Sequence, residues 1–187
     1  MFKNLIDIIA SPRNTFQSIR EKPSVLFPFL LIIGVVAVTQ LWVMYSIDFD
    51  YFIESMVEQT AAQRDVPESQ IREGMENMSP GLMGGIGAVS SVVFLSLVFV
   101  IYAAYLNLMA KLSDDQYNFK TFFSLICWTS IPTLFNSLAA ILNTLFSSTG
   151  QFSQQQLNPL SFNSLLFQTD GRYATLLSSL SPTSICV

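Results

Sequence analysis

The stretch SPRNTFQSIREKPSVLFPFLLIIGVVAVTQLWVMYS, Ser11–Ser46, decides the fold. Its second part, Val25 to Ser46, carries no charge over 22 residues. As a helix that is about 33 Å, enough to cross a hydrocarbon core of about 30 Å. Pro28 falls in the first turns, where a missing backbone donor costs least. Trp42 and Tyr45 suit the far interface, and Gln40, uncharged and near that end, reads as a helix-contacting or snorkelling amide. The first part is short and basic. Ser11 as N-cap and Pro12 at the first helical position predict a helix to about Arg20, with Phe16 and Ile19 facing one way. Lys22-Pro23 ends it.

Upstream, Phe2, Leu5, Ile6 and Ile9 recur at helical spacing, which predicts another segment lying on the membrane surface. Asp7 and Pro12 interrupt that apolar run and argue against a cleaved signal peptide.

Composition agrees with a bilayer as solvent. The 187 residues are 51% hydrophobic and only 12% charged, about half the charge of an ordinary soluble domain. There is no histidine among them, so the commonest general base and metal ligand is missing. Two cysteines, Cys127 and Cys186, are too few for a disulfide framework or a zinc site and read as small apolar fillers. No catalytic, cofactor-binding or metal site is expected, and no enzyme activity.

From Ile47 to Gly81 the character changes. Asp48, Asp50, Glu54, Glu58, Asp65, Glu68, Glu73 and Glu76 face only Arg64 and Arg72. Phe52, Met56 and Gln59 on one short helix, then Ile71, Met75 and Met78 after a break at Val66-Pro67, predict an acidic helical hairpin. Asp48-x-Asp50 lacks the further oxygen ligands and the glycine turn of a calcium loop. The second span is Gly84 to Ala110. Its glycine cluster has neither a preceding strand nor a phosphate-binding lysine, so it is not a nucleotide loop. Gly84 with Ala88, and Gly87 with Ser91, form small-xxx-small pairs that permit close helix approach. A compact loop, KLSDDQYNFK, leads to the third span, Phe122 to Phe146. There Pro132 should bend or break the helix. Asn136 and Asn143, seven apart on one face, should point into the bundle and orient it. Residues 147–175 read as a polar loop with an interfacial helix, and 176–187 as the start of a further, truncated helix.

Lysine and arginine set the orientation. Lys3, Arg13, Arg20 and Lys22 precede the first span, and Lys111 and Lys120 flank the short loop. Arg64, Arg72 and Arg172 stand on the other side. The N-terminus and the 111–120 loop are therefore expected in the cytoplasm.

The pattern Ser11-Pro12-x-x-Thr15-Phe16-x-x-Ile19-x-Glu21-x-Pro23, followed by Leu26 and Pro28-Phe29-Leu30-Leu31, resembles the opening of bacterial members of the Yip1 family. Ile131-Pro132 and the segment Asn158 to Phe167 are also similar. The resemblance implies a cytoplasmic N-terminus, more spans than these three, and no catalytic residues. Eukaryotic relatives act in vesicle trafficking with small GTPases, a partner that the residues here give no ground to carry over.

The expected fold class is all-α. It is a polytopic transmembrane helix bundle with N-terminal interfacial helices and an acidic extracytoplasmic helical hairpin, in one domain over 1–187. Its parts are a cytoplasmic segment 1–24, spans 25–46, 84–110 and 121–146, external loops 47–83 and 147–175, and the loop 111–120. The expected function is non-enzymatic: organising membrane partners or bilayer shape in a bacterial inner membrane. A transporter or channel component using the Pro-broken third helix is the alternative. Helix packing falls to Gly84, Gly87, Ala88, Ser91, Pro132, Asn136 and Asn143. Lipid or partner contact falls to Arg13, Phe16, Arg20 and Lys22. Expected partners are the lipid bilayer and other membrane proteins or a second copy, not nucleic acid.

Overall fold

The computed structural model describes residues 5, 7–8, 11–64, 67–147, 149–152, 157–167, 176–177 and 180–181. Every regular element among them is helical: α1 (Pro12–Glu21), α2 (Leu26–Ser46), α3 (Phe49–Arg64), α4 (Glu68–Met75), α5 (Pro80–Leu112), α6 (Phe119–Thr129), a 3₁₀ turn (Ile131–Thr133), α7 (Leu134–Phe146) and a π-helical turn (Asn163–Phe167). Among the described residues, three stretches are long and apolar enough to cross a membrane: Leu26–Ser46, Pro80–Leu112 and Phe119–Phe146. Their outer faces expose large apolar side chains, Phe94 at 68% and Phe146 at 84% among them. Water would penalise that surface at about 25 cal/mol per Å², whereas lipid tails accept it.

Local chemistry sets the helix ends. Pro80 opens α5, and the Ser79 hydroxyl accepts the Leu82 N–H at 3.2 Å. At the other end Asp114 adopts a left-handed φ of 59°. The Asp115 N–H reaches the Ala110 carbonyl at 2.9 Å, and the Asp114 N–H that of Lys111 at 3.4 Å. This is a Schellman closure with aspartate where glycine is usual. α5 therefore runs 33 residues, about 50 Å, beyond the apolar stretch 84–110 at both ends. α6 starts where the Asn118 side chain accepts the Thr121 N–H at 3.1 Å.

The third span breaks at Pro132, as its sequence predicts. Proline has no N–H to give the preceding turn, and the chain passes through the 3₁₀ turn before resuming as α7. The Thr129 and Thr133 hydroxyls donate to the carbonyls of Ile126 at 3.1 Å and Ser130 at 2.6 Å.

The chain forms two compact units, one built on Met1–Ala37 and Val89–Leu134, the other on Val38–Ala88 and Phe135–Ile185. The first has a core of Ile8, Ile19, Ile32, Phe99, Cys127 and Trp128 with neighbours. In it the rings of Phe29, Phe99 and Phe123 meet pairwise at 5.6–6.4 Å between centroids. The second packs Val43, Met44, Ile47, Phe52 and Phe152 together. In this unit α3 and α4 lie against each other, joined by an exposed ion pair of Arg72 and Glu54 at 3.2 Å. The Asp48 N–H donates to the Gly150 carbonyl at 2.7 Å and fastens the segment after α7 to the corner before α3.

Leu5, on the apolar stripe read from the sequence, packs against the core of the first unit, and Ile8 is part of that core. Phe2, Ile6, Ile9, Asp65, Val66, Arg172, Cys186 and most of the expected final helix lie outside the described residues.

Candidate functional site at the amphipathic helix

α1 carries its apolar residues on one side and its charges on the other, so one face must be covered. α6 covers it. Ile19 is almost completely buried, and Phe16 packs against the same core. Phe16, expected from sequence to contact lipid or a partner, is partly buried against this core. Arg13, Gln17, Arg20, Glu21 and Lys22 remain exposed.

Two polar contacts hold the helix in place. The first involves Ser24, in the link between α1 and α2. Its carbonyl oxygen accepts the Trp128 indole N–H at 3.1 Å and the Ser124 hydroxyl at 2.9 Å. Ser124 and Trp128 are one turn apart on α6, share a face, and are both fully buried. A carbonyl next to a proline-containing link has no helical partner of its own, and these two donors satisfy it. The second is Arg20, whose Nε and Nη2 both donate to the Tyr117 hydroxyl oxygen. Its guanidinium carbon lies 4.8 Å from the Tyr117 ring centroid. Gln17, Arg20, Glu21 and Tyr117 line an open polar recess of about 430 Å³.

In the second unit the small residues of α5 meet α2. A Cβ added at Gly84 would stand 3.2 Å from the Met44 Cβ, and one at Gly87 would stand 2.9 Å from the Gln40 Nε2. Gly81 lies under the Tyr45 hydroxyl, 2.7 Å from where its Cβ would be. As α5 numbers rise the α2 numbers fall, so the two segments run antiparallel at contact distance. Ala88 is buried, Ser91 half-buried. Trp42, placed by sequence at the interface, also donates its indole N–H to the Thr144 hydroxyl of α7 at 3.1 Å.

Asn136 and Asn143 are both half-buried on α7. Asn143 lines a recess of about 240 Å³ with Gln151, Phe152, Pro159 and Ser164. Among the described residues neither the buried Asn136 Oδ1 nor the buried Thr39 hydroxyl has a hydrogen-bond partner.

Sequence reasoning passed over Ser24, Tyr117 and Ser124. The available signal was the i, i+4 spacing of Ser124 and Trp128, which puts two donors on one face. Nothing local pointed to Ser24 as their acceptor.

The model of the family described as Yip1 domain matches residues 6–181. Neither a curated protein nor a solved structure matches the chain. The match covers nearly the whole sequence, including the docked α1 and all three helices able to cross a membrane, and so the chain belongs to the Yip1-domain family of membrane proteins.

Proposed function

We propose that this integral membrane protein is not an enzyme and that it organises membrane partners, other proteins or a second copy, or shapes the bilayer. The observation that carries the reading is α1. Its apolar face is committed to α6, while Arg13, Arg20 and Lys22 stay exposed beside the entry of the first span. Cations at that level attract anionic lipid at about 1 kcal/mol each. The lysine and arginine count supports a cytoplasmic N-terminus with the acidic hairpin on the opposite side, and bacterial inner membrane is the location the opening motif favours.

Reconstitution into vesicles containing anionic lipid tests the reading, with vesicle shape and in-membrane crosslinking as readouts. The wild-type chain should deform vesicles or crosslink to a partner or itself, and Arg13→Gln with Lys22→Gln should weaken this. A chain that is inert and monomeric in both assays overturns it.

A transporter or channel component is the second reading, favoured by the unpartnered Asn136 Oδ1 close to the break at Pro132. Broken helices with polar groups near mid-membrane are how many transporters build their sites. Solute flux that persists in Asn136→Leu with Asn143→Leu disposes of it.

A further inference from the structure

The recess beside α1 has a charge pattern that selects among membrane lipids. We propose that Gln17, Arg20, Glu21 and Tyr117 bind the headgroup of a zwitterionic phospholipid carrying a primary ammonium, of the phosphatidylethanolamine type. Arg20 takes the phosphate and Glu21 takes the ammonium.

Position comes first. Glu21 ends α1 shortly before α2 begins at Leu26, and Tyr117 lies just before α6 begins at Phe119. Two membrane-crossing segments therefore start at the recess, which puts it at headgroup level in one leaflet. Its volume of about 430 Å³ lies within the range of small-ligand sites, about 300–1,000 Å³.

The lining then discriminates. Among the described residues it contains one cation, one carboxylate, one amide and one phenol. An anionic headgroup with no cationic part would satisfy Arg20 but confront Glu21. A headgroup with a phosphate and an ammonium a short linker apart satisfies both. Tyr117 holds the Nε and Nη2 edge of the guanidinium, which leaves the end-on edge, one N–H each from Nη1 and Nη2, to meet phosphate oxygens in the fork geometry arginine favours.

The amine class follows from the same residues. A quaternary ammonium has no N–H and is recognised by cages of several aromatic rings; among the described residues this recess has one. A primary ammonium has three N–H donors, which the Glu21 carboxylate and the Gln17 side-chain carbonyl accept. The proposal rests on α1 lying at the membrane surface, as proposed above, and not on the organising role.

The experiment is competitive lipid retention. The full chain is reconstituted with equal phosphatidylethanolamine and phosphatidylcholine, extracted gently, and its retained lipid counted by native mass spectrometry. Both lipids carry the same phosphate and no net charge, so general attraction to the basic surface cancels. The wild type should retain the ethanolamine lipid over the choline lipid by about tenfold, the worth of one hydrogen bond to a charged group. Glu21→Gln, at an exposed position, should equalise the two while still holding lipid. Arg20→Gln should lose both, and excess inorganic phosphate should displace neither. Equal retention by the wild type, a preference that survives Glu21→Gln, or displacement by phosphate overturns the proposal. Equal retention by a chain that still reshapes vesicles overturns the headgroup assignment alone.

Discussion

Trp128 donates its indole N–H to the carbonyl oxygen of Ser24 at 3.1 Å, joining the third span to the link before the first across 104 positions of sequence. The indole is fully buried, so this bond has no water to replace it. Trp128→Phe keeps most of the ring volume and removes the donor. It should cost about 1–2 kcal/mol, reported as a lower melting temperature in detergent and faster tryptic cleavage after Arg20. Ser124→Ala should cost less alone. The double variant should be non-additive, because both donors serve one acceptor.

Gly84 and Gly85 are neighbours with opposite surroundings. A methyl at Gly84 would press on the Met44 Cβ, which is tied to the backbone of α2 and cannot swing away, whereas a methyl at Gly85 meets nothing within 4 Å. Gly84→Ala should therefore destabilise by about 1–3 kcal/mol. Gly85→Ala and Gly34→Ala should be neutral or stabilising by up to about 1 kcal/mol through helix propensity. Gly87→Ala should fall between, since the Gln40 amide it meets is the end of a flexible side chain. Thermal melting of the four variants orders them.

Among the described residues the buried Asn136 Oδ1 has no hydrogen-bond partner, so that atom costs stability instead of adding to it. Asn136→Leu, of similar size and apolar, should leave the melting temperature unchanged or raise it by the equivalent of about 1 kcal/mol. A fall would mean that the amide orients the helix through a bond its oxygen makes in the membrane.

Asp114 holds a left-handed conformation that costs most side chains energy. Asp114→Gly should stabilise the end of α5 by about 0.5 kcal/mol, with slower hydrogen exchange over residues 110–115 as the local readout.

Orientation is open to direct measurement. In a background of Cys127→Ala and Cys186→Ala, Glu58→Cys should react with an impermeant maleimide on intact cells. Asp115→Cys should react only after permeabilisation. Labelling of Asp115→Cys in intact cells would reverse the assignment drawn from the lysine and arginine count.

Much of the fold was legible because its determinants are local. The run from Val25 to Ser46 is apolar and long enough wherever it sits, and Pro132 lacks its N–H in any context. The Pro12 start and the Lys22-Pro23 stop of α1 likewise depend on adjacent residues only. The glycines of α5 could be read as permitting close approach, but the sequence did not say to which helix. Met44 and Gln40 were found only when α2 and α5 lay side by side.

The sequence by itself determined that this chain lives in a membrane, which stretches are apolar enough to cross it, and that a basic amphipathic helix precedes the first span. Tertiary structure alone decided what covers that helix. An apolar stripe of Phe16 and Ile19 is satisfied equally by lipid tails and by another helix, and periodicity is the same in both cases. The surface of α6, with the Ser124 and Trp128 donors reaching Ser24, settles the competition in favour of protein, because a buried carbonyl needs donors that lipid tails do not have.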